Sequence, residues 1–204
     1  MTYKVLNLFA GKYGGNRALW SSTEYEITAI ELNPENAQTY QSLYPNDKVI
    51  IGDATEFIRD KSIDLNQFDF IWASPPCQRN SQMMKFYKNT EKRKPLPNLD
   101  QTIGLYFWLK TEYKGLFCIE NVQPWFKWLL DPVKIDRHLF WVNFPLKSIS
   151  FIDNHSNKHG KIGGIMRDKT KKTPEQRDMV NPEIGLYIIE SALKKRKNNL
   201  DDLL

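Results

Sequence analysis

The chain has 204 residues, 29 Lys and Arg against 24 Asp and Glu, and a net charge of +5. That length suits one domain or one domain with a small lobe, and 41% hydrophobic residues suffice for a real core, which excludes disorder as the main state. The longest apolar runs, such as 68–73 and 116–119, fall far short of the roughly 18–20 residues a membrane span needs. The N-terminal apolar run is too short for a secretory signal, so a cytoplasmic protein is expected. Two cysteines, Cys77 and Cys118, are too few for a disulfide framework or a four-cysteine zinc site. The basic balance permits a polyanionic partner without requiring one.

Along the chain, 4–9 predict a short buried strand, followed by a glycine-bearing turn, Ala10-Gly11-Lys12-Tyr13-Gly14-Gly15. A helix is expected to begin over 16–22. A second strand, 26–31, ends on Glu31; Asn33 and Pro34 then open a helix at 35–43. A third strand, 48–52, leads to Asp53 and a short helix at 54–61. The apolar fourth strand, 68–73, runs into Ser74-Pro75-Pro76-Cys77, where the prolines cannot continue a ladder. Residues 79–98 are polar, basic and proline-containing and read as a mobile loop. A helix is expected at 99–113 and a fifth strand at 115–119, ending at Glu120-Asn121-Val122. A further strand is expected at 138–144. Residues 153–178 are polar with no clear periodicity. Pro182 opens a last amphipathic helix with Ile184, Tyr187, Ile188, Ser191 and Ala192 on one face, before a basic tail at 194–197.

Strand–helix alternation over 4–120 predicts a doubly wound α/β sheet, in which ligands sit beyond the carboxyl ends of the strands. The residues with chemistry fall at those ends. The glycine turn lets backbone approach a ligand; taken alone it is equally a plain tight turn. Glu31 offers two acceptor oxygens to a ribose, or is a surface acid. Asp53 accepts from an exocyclic amine, or caps the helix over Thr55 and Glu56. Together the three favour a nucleoside-bearing cofactor. Cys77, on a turn stiffened by two prolines, is either a presented nucleophile, with Glu120 at the next strand end as its partner on the substrate, or an ordinary buried cysteine. Cys118, mid-strand, reads as core. His155 and His159 are four apart but have no third ligand to make a metal site. Arg137 and His138 precede an aromatic strand and either face the substrate or sit at the strand edge. Arg79, Lys85, Lys88, Lys92, Arg93 and Lys94, interleaved with Phe86 and Tyr87, suit phosphates and bases or a solvated loop.

These residues resemble the cytosine-5 DNA methyltransferases. Asn7-Leu8-Phe9-Ala10-Gly11 is similar to that family's Asp-Leu-Phe-x-Gly opening, Ser74-Pro75-Pro76-Cys77-Gln78 with Ser81 to its catalytic Pro-Cys-Gln segment, and Ile119-Glu120-Asn121-Val122 to its Glu-Asn-Val segment. The resemblance covers about 4–145, with a weaker match at 179–193, and the compact form resembles small phage and prophage enzymes. It implies a Rossmann-like, doubly wound, mainly parallel sheet of the class I methyltransferase type, S-adenosyl-L-methionine as methyl donor, and double-stranded DNA with the target base flipped out as substrate. It implies Cys77, Glu120 and Arg137 as catalytic residues and Phe9, Gly11, Glu31, Leu32, Asp53, Ala54 and Pro75 as the cofactor set, with no metal. The chain departs from the family pattern at Asn7, at the Lys12-Tyr13 insertion, and at His138, where the family's base-facing Arg belongs. The expected division is a catalytic domain of 1–150 and 179–204, with the polar segment 151–178 where a target-recognition domain would stand. Recognition then falls to a very short target, a partner chain or a homodimer mate, or the enzyme acts with low specificity. The same chemistry on RNA or a cytosine nucleotide, and a catalytically silent DNA- or cofactor-binding protein, are the competing readings.

Overall fold

A computed structural model describes residues 2–77, 96–124, 130–149, 161–162, 165–166 and 179–201. Seven strands make one sheet: β1 (Tyr3–Leu8), β2 (Tyr25–Glu31), β3 (Lys48–Ile51), β4 (Phe70–Ala73), β5 (Leu116–Val122), β6 (Val133–Ile135) and β7 (His138–Val142). Their spatial order is β3-β2-β1-β4-β5-β7-β6. The first five are parallel, and β7 runs antiparallel to both β5 and β6. This is the expected doubly wound, mainly parallel sheet. Strands covered on both faces read as continuous apolar runs, and β4, buried at all four positions, is the plainest case.

Side-chain alternation divides the core. On one face Val5, Ile27, Phe70, Trp72, Cys118 and Phe140 pack with Trp20 and the last helix, α4 (Pro182–Asp201). On the other, Leu6, Leu8, Ile71, Phe117 and Ile119 pack with Ile58 of α2 (Ala54–Arg59) and Leu109 of α3 (Leu96–Glu112). Helix α1 (Pro34–Leu43) lies over Ala29 of β2 through Tyr40. Asn33 caps α1, its side-chain oxygen accepting from the Glu35 and Asn36 amides, and Pro34 takes the first helical position.

Four expectations are corrected. The helix expected over 16–22 is a single 3-10 turn, Gly15–Arg17, because α4 occupies the face beside it. There the backbones meet so closely that a Cβ at Gly185 would lie 2.1 Å from the Asn16 carbonyl oxygen. The last helix buries a stripe rotated from the expected one: Ile184, Ile188, Ile189, Ala192 and Leu193 are buried, with Tyr187 and Ser191 at its margin. The short strand β6 and a small hairpin, β8 (Lys161–Ile162) with β9 (Ile165–Met166), were not anticipated; their two or three residues carry no usable periodicity. Helix α3 begins at Leu96, inside the expected loop.

Two predictions follow from this packing. Gly185→Ala would gain about 1 kcal/mol of helix propensity on an exposed surface. Against a backbone carbonyl it should instead destabilise by roughly 1–3 kcal/mol, read as a lower urea midpoint. The tyrosines make the fold sensitive to base. Burial pushes Tyr25 up to about 12 and raises Tyr40 well above its usual 10.0. The folded state therefore keeps protons that the unfolded chain gives up near 10, so this stability is complete below pH 10 and drains as pH rises toward 12. Urea midpoints should fall over that window, together with phenolate absorbance appearing on unfolding.

Candidate active site

The sequence-predicted residues gather at the carboxyl ends of the strands. After β1, Phe9 is held at φ 57, a left-handed conformation unusual for an aromatic residue and a mark of local constraint. Gly11 follows at φ 68, and a Cβ built there would meet nothing within 4 Å, so the space beside the turn is open. Glu31 closes the adjacent strand. Its Oε2 accepts from the Gly11 amide at 2.8 Å and its Oε1 from the Asn33 amide at 2.9 Å. Each oxygen keeps a second lone pair, so the carboxylate is oriented without being saturated. Leu32 beside it is 65% exposed, a large apolar side chain presented to solvent.

At the end of β3, Asp53 caps α2, its Oδ1 accepting from the Thr55 amide at 2.8 Å. The capping alternative for Asp53 is thus realised. Ala54 is buried at the first position of that helix.

Strands β4 and β5 are neighbours, with Ala73 opposite Ile119. The Ser74 amide extends the ladder to the Leu8 carbonyl at 3.2 Å, and the Trp72 indole donates to Ser74 Oγ at 2.8 Å. From there Pro75 is buried, Pro76 exposed and Cys77 half-buried. Glu120, 7% exposed, stands at the end of β5. Asn121 beside it is fully buried, donating to Thr102 Oγ1 at 3.1 Å and to the Pro75 carbonyl at 3.5 Å. It therefore ties the proline turn to α3 and β5. Nothing local in the sequence marks Asn121 for this part, because the backbone carbonyl it meets lies 46 positions away.

The β6–β7 hairpin turns through Asp136, at φ 54, and Arg137. Because β7 is antiparallel to β5, with His138 opposite Val122, this turn lies at the same edge as Cys77 and Glu120. Register sorts the two basic residues. His138 shares a face with Glu120, and its Nε2 lies 3.9 Å from Glu120 Oε1 with both side chains buried. Arg137 is exposed and donates to the Met179 carbonyl at 3.2 Å. Thus His138, rather than Arg137, is the basic side chain beside the carboxyl. Cys118, one position before Ile119, is buried, and burial followed by the Glu120 charge pushes its thiol well up, which makes it inert.

Gln78, Ser81, His155, His159 and the basic loop residues 79–94 lie outside the described residues. Among the described residues no three His, Cys, Asp or Glu side chains gather as a metal site, and no helix is long and apolar enough to cross a membrane.

A family model for C-5 cytosine-specific DNA methylases matches residues 3–123, more than half of the chain. The chain belongs to the C-5 cytosine-specific DNA methylase family. The match runs through the glycine turn, Cys77 and Glu120. A 56-residue stretch is 48% identical to the Type II methyltransferase M1.HgaI of Avibacterium volantium, covering 26% of this chain and 16% of that protein. This chain thus aligns with a small part of that relative's length. Among solved structures, it is similar to a candidate DNA modification methyltransferase encoded within an E. coli prophage. There the identity is 18%, the coverage 69% of this chain and 46% of the other, and the TM-score 0.42. It is also similar to a chain of the fibrillarin/Nop5p complex, with 17% identity, 59% and 50% coverage, and a TM-score of 0.40.

Proposed function

We propose that this chain transfers a methyl group from S-adenosyl-L-methionine to C5 of cytosine in DNA, through a covalent bond from Cys77 to C6. The observation that carries this reading is the adjacency of β4 and β5 in a member of this family. It sets the rigid Pro75-Pro76-Cys77 turn beside the strand end bearing buried Glu120.

The residues suit the cofactor. The open space at Gly11, the pre-oriented Glu31 carboxylate and the exposed Leu32 offer space, a hydrogen-bond acceptor and a packing surface to a nucleoside. Glu31 would accept from the ribose hydroxyls, and Leu32, Asp53 and Ala54 would border the base. Phe9 and Pro75 would complete the pocket. When bound, S-adenosyl-L-methionine supplies an electrophilic methyl group. The chain's own residues do the rest. Cytosine C5 is a poor nucleophile while the ring is aromatic. Addition of the Cys77 thiolate to C6 removes that aromaticity and moves electron density to C5. Glu120, as the acid, would donate to N3 and accept from the 4-amino group, stabilising the adduct where charge develops. After C5 takes the methyl group, loss of the C5 proton re-forms the double bond and expels the Cys77 thiolate. His138 would steady the Glu120 carboxyl, and Arg137 on the same hairpin would face the substrate edge.

Residues 1–150 and 179–204 would form the catalytic domain; Val180, Ile184 and Ile188 support this by sharing one core with β1 and β4. The segment 151–178 would leave target reading to a short site, a partner chain or a second copy. With DNA and this donor as substrates, the enzyme would work in the cytoplasm of a bacterial or phage-infected cell.

A duplex carrying 5-fluorocytosine tests the reading, because fluorine cannot leave C5 as a proton does. Incubated with S-adenosyl-L-methionine, the protein should form a covalent adduct that maps to Cys77. Adduct formation with an RNA but not a DNA substrate would move the reading to RNA. No adduct with any cytosine substrate would contradict the mechanism.

A further inference from the structure

The Lys12-Tyr13 insertion lies between two left-handed glycines, Gly11 at φ 68 and Gly14 at φ 50. Its upstream end is anchored where the Gly11 amide meets Glu31. Its downstream end is anchored by Tyr44, whose hydroxyl donates to the Tyr13 carbonyl at 3.0 Å and lies 3.4 Å from the Gly14 carbonyl. Tyr44 caps α1, the helix that starts just after Glu31. Both anchors therefore belong to one β2–α1 unit.

The Tyr44 ring is itself braced. The Arg17 guanidinium lies 4.7 Å from its centroid, and the fully buried Tyr40 ring 4.9 Å from it. Tyr40 donates to Asp47 at 2.9 Å, and its ring comes so near Gly14 that a Cβ there would lie 2.6 Å away. The insertion is thereby gripped at each end, while the space at Gly11 stays open.

We infer that Tyr44 is a positioning residue for the cofactor: its hydroxyl holds the Lys12-Tyr13 turn in the shape that lets Gly11 and Glu31 receive the nucleoside. This rests on the proposed use of S-adenosyl-L-methionine. A turn held in its bound conformation loses less freedom on binding, so the bond appears as affinity.

Tyr44→Phe keeps the ring and deletes the hydroxyl. By calorimetry, its Kd for S-adenosyl-L-methionine should rise about five- to tenfold, the scale of one hydrogen bond. The KM for the donor should rise in step while kcat stays within about twofold. In the cofactor-free protein, the Arg17 amide, which donates to the Gly14 carbonyl, should exchange faster in the variant. Wild-type binding with an unchanged Kd in Tyr44→Phe overturns the role of Tyr44 alone. A loss of kcat at unchanged KM overturns it as well. Failure of the wild-type protein to bind the cofactor overturns the proposed function, and this role with it.

Discussion

Cys77→Ala should reduce methyl transfer by on the order of 10⁴-fold or more, because without the sulfur nothing saturates C6 and C5 stays unreactive. The change should leave the fold intact. Cys77 is half-buried on a turn, and Asn121 holds that turn through the carbonyl of the buried Pro75. Cofactor affinity should also stay within a few-fold. Single-turnover rates, with circular dichroism and cofactor titration on the same samples, separate lost chemistry from lost structure. Cys118→Ala is the informative comparison. It removes the other thiol but one that burial keeps protonated, so it should cost stability as a small core cavity and leave the chemical step in place. A Cys77 variant that retains activity would remove the nucleophile from the mechanism.

The second large effect concerns folding. Arg17 and Asp47 form a buried two-point ion pair, Nε to Oδ2 and Nη2 to Oδ1, both at 2.8 Å. Burial opposes the Arg17 charge, but the hydrogen bond and charge of Asp47 outweigh it and the guanidinium is held more firmly than usual. Another Arg17 nitrogen donates to the Trp20 carbonyl, and Tyr40 donates to Asp47. Asp47→Ala strands a buried cation and removes the Tyr40 acceptor, which should cost about 3–5 kcal/mol. Against a total of roughly 5–15 kcal/mol that is a large share, and the Tm should drop by roughly 6–20 °C. Asp47→Asn keeps an acceptor for the guanidinium and should lie between the two. A paired apolar replacement, Arg17→Met with Asp47→Leu, should recover much of the loss, because the cost lies in the unpaired charge rather than in the missing bond. Calorimetric Tm values for the four proteins decide this.

The strands 4–9, 26–31, 48–52 and 68–73 were legible as short segments rich in apolar and β-branched residues between turn signals, within two residues of the observed bounds, and β4 carries the continuous apolar run that cover on both faces demands. The first crossover was not. Whether 16–22 continues as a helix depends on what lies beside it, and the neighbour is α4, more than 160 positions away in the chain. Gly185 marks that contact only once the packing is known. At the site, the ends of five strands were found from position alone, and Glu31, Asp53, Cys77 and Glu120 stand there. Which of Arg137 and His138 faces Glu120 turns on strand parity. The pairing of Glu120 with Phe140 and of Val122 with His138 decides it, and no composition could. The Arg17–Asp47 pair was likewise hidden. Two opposite charges thirty positions apart are ordinary in a sequence and become a structural element only when both are buried.

The most direct measurement is transfer of labelled methyl from S-adenosyl-L-methionine to unmethylated double-stranded DNA, read at base resolution. Label is expected at cytosine C5, at a reproducible set of sites. Cofactor binding without label in any DNA, or label on adenine or at cytosine N4, would contradict the proposed function.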